Sequence, residues 1–281
     1  STAIGAFALE AQNFTTATAT YNVAIGYEAG LSVTTGQYNT LLGGRAGDKI
    51  TDGDANIAVG VNAIGTDTLG KYSVAIGMGA LQTQNFTTST DTYNVAVGHN
   101  AGLSVTTGTH NTLMGGVAGD ALTVGVRNVA VGFAALSQDD VGSRSTAIGY
   151  QALNAQNFAT ATNSNNVAVG VLAGGAVTTG VSNTLIGANA GDALTDADTN
   201  VAVGADSLGA DTKGSKNTAV GHSALEAQNF TTSTLSHNTA IGADSGKAIS
   251  TGVQNTLIGS GAGDALTDSD ENVAVGYGAL S

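Results

Sequence analysis

One pentapeptide dominates this chain. Asn-Val-Ala-Ile-Gly and its close variants occur sixteen times in 281 residues, the first closed by Gly5 and the last by Gly276. The spacings between closing glycines run 21, 17, 17 and 17 residues and then begin again, a super-period of 72. The super-repeats are residues 1–72, 73–144, 145–216 and 217–281, the last seven residues short. A fixed short period means that each repeat is one structural unit which buries its apolar surface only against the next. The chain is therefore read as one continuous solenoid over 1–281. Neither end carries a distinct capping sequence, so the expectation is a segment of a longer array or a protomer that stacks end to end.

The columns of the repeat carry the fold class. Four residues before each glycine stands Asn22, Asn39, Asn56, Asn94, Asn111, Asn128, Asn166, Asn183, Asn200, Asn217, Asn238, Asn255 or Asn272, with Ser1, Ser73 and Ser145 in the other three repeats. Val, Thr or Ile follows, then Ala or Leu, then Ile, Val, Leu or Met. Alternate side chains of a strand face opposite ways, so Val23 and Ile25 share one face and Ala24 takes the other. Both faces are apolar, which predicts cover on both sides: the coil's own interior on one, a neighbour on the other. Because alanine permits close approach, the alanine side is assigned to a second copy of the chain. The closing glycine predicts a corner with φ above zero. A second small column (Ala29, Ala46, Ala63, Ala80, with Ser207 and Ser245 as exceptions) predicts a shorter second strand after that corner. Glycine every few residues excludes a helical reading. The result is an all-β, single-chain β-solenoid of about sixteen 17- or 21-residue coils.

At NVAIGYEAG, NIAVGVNAI and STAIGYQAL the chain resembles the head repeats of YadA-like trimeric autotransporter adhesins and, equally, the NTAIG-type repeats of phage tail fibres. The resemblance covers essentially the whole chain. It implies a left-handed β-roll, packing as a homotrimeric rod, and a place on a bacterial or virion surface. The chain departs from the adhesin pattern in its longer coils and its four-coil super-period.

Composition narrows the partners. Eight Lys+Arg against 21 Asp+Glu give a net charge of −13, which leaves no basic footprint for nucleic acid. No apolar run is long enough to span a membrane, and STAIGAFALE lacks the form of a secretion signal. The absence of cysteine removes disulfides, thiolate metal sites and thiol nucleophiles.

Three sets of residues remain as candidate sites. The Asn column reads as a stacked amide ladder, each side chain bonding the next coil and satisfying corner backbone. The third coil of each super-repeat carries an acidic loop: Asp48, Asp52 and Asp54; Asp120 alone; Asp192, Asp196 and Asp198; and Asp264, Asp268 and Asp270 with Glu271. The three full loops supply oxygen ligands suited to Ca²⁺, or else turn-forming residues that keep a nearly neutral rod soluble. In the second loop Val124, Val126 and Arg127 replace the acids. The four extra residues of each 21-residue coil surround Asn-Phe pairs, placing Phe14, Phe86, Phe158 and Phe230 at strict 72-residue spacing. These rings read either as exposed contacts for a glycan or receptor or as buried anchors. Threonine tracts such as Thr34-Thr35 recur only every fourth coil, which does not make an ice-binding array. The histidines (His99, His110, His222, His237) have no nucleophile or acid at catalytic spacing.

The functional expectation is a non-enzymatic structural segment, shaft or head, of an extracellular, cell-surface or virion fibre, with no cofactor apart from the calcium reading. The alternatives are a receptor- or glycan-binding flank and, more remotely, a glycan-cleaving tailspike, which would need paired carboxylates in a groove.

Overall fold

The computed structural model describes residues 1–281 and shows an all-β chain with no helix, a parallel β-solenoid of about sixteen turns. It comprises two compact units, Ser1–Ser143 and Arg144–Ser281. The first holds eight three-residue strands: Thr2–Ile4, Val23–Ile25, Thr40–Leu42, Ile57–Val59, Val74–Ile76, Val95–Val97, Thr112–Met114 and Val129–Val131. The second holds Thr146–Ile148, Val167–Val169, Thr184–Ile186, Val201–Val203, Thr218–Val220, Thr239–Ile241, Thr256–Ile258 and Val273–Val275. Within each unit successive strands pair in parallel, column on column: Val23, Ala24 and Ile25 lie against Thr40, Leu41 and Leu42. The register is the same across the longer coils, where Val74 meets Val95. The four extra residues are therefore absorbed between strands and leave the sheet undisturbed.

The two faces of the strand are assigned the opposite way from the expectation. Ala24, Ala58, Ala75 and Ala96 are fully buried inside their coils, while Val23 and Val74 are half-buried and Ile25, Ile57 and Ile76 are exposed. The alanine column is the lumen of the coil, and the β-branched columns are its outside. The physical reason is width. A 17-residue circuit encloses so little space that a large side chain fits only where its neighbours shrink. Leu41 occupies the alanine column in the third coil, and the residues beside it are Gly30 and Gly47. A Cβ on Gly30 would stand 2.7 Å from Leu41 Cδ1, and one on Gly47 would stand 2.8 Å from Leu41 Cδ2. In the coils of Ala58 and Ala75 the position of Gly30 and Gly47 is taken by a large side chain instead, Ile64 or Leu81, both fully buried, whereas the coil of Ala24 keeps Gly30 because Leu41 of the next coil fills the space. The 72-residue super-period is thus a packing cycle in which bulk moves from one wall of the lumen to the other.

The corner glycines all have φ between 130° and 144°. A Cβ on Gly26 would also stand 2.5 Å from the Gly43 carbonyl oxygen in the next coil. Torsion and stacking therefore both require glycine there. Three more positions per coil are left-handed without being reserved for glycine, such as those of Glu28 (φ 55°), Tyr38 (φ 61°) and the β-branched Ile64 (φ 48°). Stacking overrides local preference at these sites. No strand follows the corner: the Ala29 column lies in turns, and backbone bonds such as Gly30 N–H to the Ala46 carbonyl (2.9 Å) stack it on the next coil. Short second strands occur elsewhere, where Gly70–Lys71 pairs with Thr90–Asp91 and Gly214–Ser215 pairs with Thr234–Leu235.

Candidate functional site

The Asn column forms an internal ladder within each unit, interrupted in the first by Ser73. Asn39 Nδ2 donates to the Gly53 carbonyl (2.8 Å), and Asn39 Oδ1 accepts from the backbone N–H of Asn56 (2.9 Å). Asn111 and Asn183 repeat the pattern toward Gly125 and Asn128, and toward Ala197 and Asn200. The buried amide satisfies one carbonyl of its own coil and one N–H of the next, so these asparagines are committed to holding coils together; Asn217, whose Nδ2 has no partner, is the exception.

Each 21-residue coil after the first adds a buried polar clasp. Asp67 Oδ1 accepts from the N–H groups of Gly70 (3.1 Å) and Phe86 (3.0 Å), and Asp67 Oδ2 accepts from Gln84 Nε2 (2.5 Å). Gln84 also donates to Ser73 Oγ (2.9 Å) and accepts from Asn94 Nδ2 (2.9 Å). All of these side chains are buried. Asp211, Gln228 and Asn238 reproduce the clasp, and Gln156 bonds Ser145 and Asn166 in the same manner. At Ser73 and Ser145, where serine replaces asparagine in the column, a glutamine of the same coil supplies the missing amide. These glutamines and aspartates escaped sequence reasoning, although Gln-Asn-Phe and Asp-x-x-Gly both recur every 72 residues.

The clasp fixes the phenylalanines. Phe86, Phe158 and Phe230 are 5–7% exposed, and Phe14, in the first coil, is half-buried. Phe230 lies over Gly214, where a Cβ would stand 2.9 Å from its ring. Its N–H donates to Asp211 (3.2 Å), and its carbonyl accepts from Thr212 (2.7 Å). The three inner rings are not presented to solvent and act as anchors, which overturns the exposed-contact reading for them.

The acids of the third-coil loops act one by one. Asp54, Asp198 and Asp270 each accept, through Oδ1, a backbone N–H one coil back, from Gln37 (2.9 Å), Val181 (2.8 Å) and Val253 (2.8 Å). Asp52 accepts from the hydroxyls of Thr35 and Thr34, which hold its carboxyl below the usual carboxylate range. Asp196 and Asp268 accept from Thr195 and Thr267, and Asp196 also lies 3.6 Å from Lys213 Nζ. Asp48, Asp120 and Asp192 are pushed above that range by burial, and Asp120 Oδ1 is buried without a partner. Asp264 is half-buried. The loops bring no three of these carboxylates, or of any His, Asp and Glu, into one group able to hold a metal ion.

Two surfaces are left. One is the outer face of the sheet, two uncharged columns of Val, Ile, Thr, Leu and Met running along each unit. The other is a file of tyrosines, Tyr21, Tyr38, Tyr72 and Tyr93, each immediately before a column Asn or Ser. The surface forms no pocket, and no helix is long and apolar enough to cross a membrane. Compared with protein-family models, curated proteins and solved structures, the chain matches none.

Proposed function

We propose that the chain is a structural segment, shaft or head, of an extracellular, cell-surface or virion fibre, and that it works as a homotrimer. The observation that carries this reading is the outer sheet face. Eight stacked strands at about 4.8 Å present an apolar strip about 38 Å long in each unit. In the first unit it is built from residues such as Val95, Val97, Thr112 and Met114, without one charged side chain. Contiguous apolar surface of that kind marks an interaction site, and a repeating strip is most simply covered by its own copy related by symmetry. The resemblance of NVAIGYEAG to YadA-like and tail-fibre repeats supports three copies about an axis. The role is mechanical: backbone ladders and buried amides link each coil to the next, so load is carried along the stack and no reaction is called for. The reading of a glycan- or receptor-binding flank loses its proposed contacts, since the inner phenylalanines are buried.

Sedimentation equilibrium tests the proposal. The chain should sediment at three times its 27.4 kDa mass, and Val97→Glu combined with Val131→Glu should release folded single chains. A wild-type chain that stays folded and monomeric at micromolar concentration overturns it. Ala96→Glu should instead unfold the coil, because Ala96 is fully buried in the lumen.

A further inference from the structure

The tyrosine file contains a gap that a fibre role does not explain. Tyr21 and Tyr38 stack with centroids 5.5 Å apart and planes 13° from parallel, and Tyr72 and Tyr93 stack at 5.3 Å and 7°. His110 extends the second stack, 5.4 Å from Tyr93. Between the two stacks the same column holds Ala55. Its φ of 54° falls among the 49–61° of the four tyrosines, so its Cβ leaves the backbone as theirs do. The file therefore lacks one ring. Tyr38 and Tyr72 stand two coils apart, about 9.6 Å, and a ring midway would lie about 5 Å from each, inside the range that aromatic pairs prefer.

A further observation describes the charge around the gap. At the rim, Lys71 Nζ lies 3.0 Å from Asp54 Oδ2, and Lys71 pairs in the short sheet with Asp91, so two carboxylates face one ammonium. Tyrosine ring faces are themselves electron-rich, and the whole chain carries −13. A cationic ring meets a favourable field there and an anionic one does not.

We propose that the slot at Ala55 binds one planar aromatic cation, stacked between Tyr38 and Tyr72. The second unit has Asn165, Ser182, Thr199, Lys216 and His237 in the equivalent column and no tyrosine, so each chain carries one such site.

The test is a fluorescence titration of the full chain, in its assembled form, with N-methylacridinium. Saturable quenching is expected at one dye per chain. Tyr38→Ser and Tyr72→Ser should each weaken it by about tenfold, and Tyr21→Ser by no more than about twofold. Ala55→Tyr fills the slot with the residue its column already accepts, so it should abolish saturable binding while leaving the circular dichroism and the melt unchanged. Uncharged acridine, at a pH where it is neutral, should bind about fivefold more weakly than the cation. The proposal is overturned if the wild type shows no saturable quenching, if Ala55→Tyr binds as the wild type does, or if acridine binds as tightly as the cation. Ala55→Tyr keeps the test decisive even if a serine variant fails to fold.

Discussion

The same substitution at two rungs of the asparagine ladder should have opposite consequences. Asn183 is fully buried; its Nδ2 donates to the Ala197 carbonyl at 2.8 Å, and its Oδ1 accepts from the Asn200 N–H at 2.9 Å. Serine is one atom too short to reach either group, and no glutamine of that coil lies within the column to replace the amide. Two buried backbone groups are then left without partners at about 1–3 kcal/mol each, a total of about 2–6 kcal/mol. For a chain of this size that corresponds to about 3–10 °C in Tm. Asn217 differs. Its Nδ2 is buried and already unpaired, while its Oδ1 accepts from Ser236 (2.8 Å) and from the Asn238 N–H (3.1 Å). Serine at 217 costs the Asn238 N–H its acceptor, but it removes the unpaired donor and reproduces Ser73 and Ser145, whose hydroxyls accept from Gln84 and Gln156, so one loss is offset by one gain. Gln228 holds the equivalent place here and has a second N–H to give. Asn217→Ser should therefore change stability by less than about 1 kcal/mol in either direction. Thermal melts of both variants, with hydrogen exchange at the Asn200 amide to localise the loss, measure this directly. If Asn217→Ser costs as much as Asn183→Ser, hydrogen-bond satisfaction does not govern the ladder.

Two other perturbations follow from the same geometry. Gly43→Ala should be strongly destabilising, since φ is 135° and the new Cβ would stand 2.6 Å from the Gly60 carbonyl oxygen, while Gly44→Ala, with nothing within 4 Å, should be neutral or slightly stabilising; comparing the two melts decides it. Burial holds Asp48, Asp120 and Asp192 above the usual carboxylate range, so their contribution to stability is full below that range and is lost as pH rises through the raised values. Tm should therefore rise as the pH is lowered from neutral toward the usual carboxylate range, and Asp120→Asn should raise Tm at neutral pH and flatten that slope; a Tm that falls over the same interval would refute the assignment. At more acid pH the trend should reverse, because Asp52 and Glu28 lie below the usual range and lose their contribution as they protonate.

Much of this architecture is legible in the amino-acid sequence because a solenoid is nearly one-dimensional. The spacing of Gly5 to Gly276 sets the coil count, and the alternation around Ala24 identifies a strand. A column of asparagine, replaced by serine at only three coils, inside an apolar repeat makes sense only if each amide finds its partners in the adjoining coil. What alternation could not decide is which face of the strand looks inward, because Val23 and Ala24 are both apolar and a two-fold period is blind to sign. Tertiary packing decides it by volume: the lumen accepts alanine, and accepts Leu41 only where Gly30 and Gly47 withdraw. The phenylalanine question was settled in the same way, by the backbone of one coil closing over Gly214 with Asp211 pinning the N–H of Phe230. The clasp glutamines and the Ala55 gap carry periodic signals in the sequence, but a period shows only that a position matters. Whether its side chain is a partner, a wall or an opening depends on what the neighbouring coil places within a few ångströms, and only the folded stack defines that.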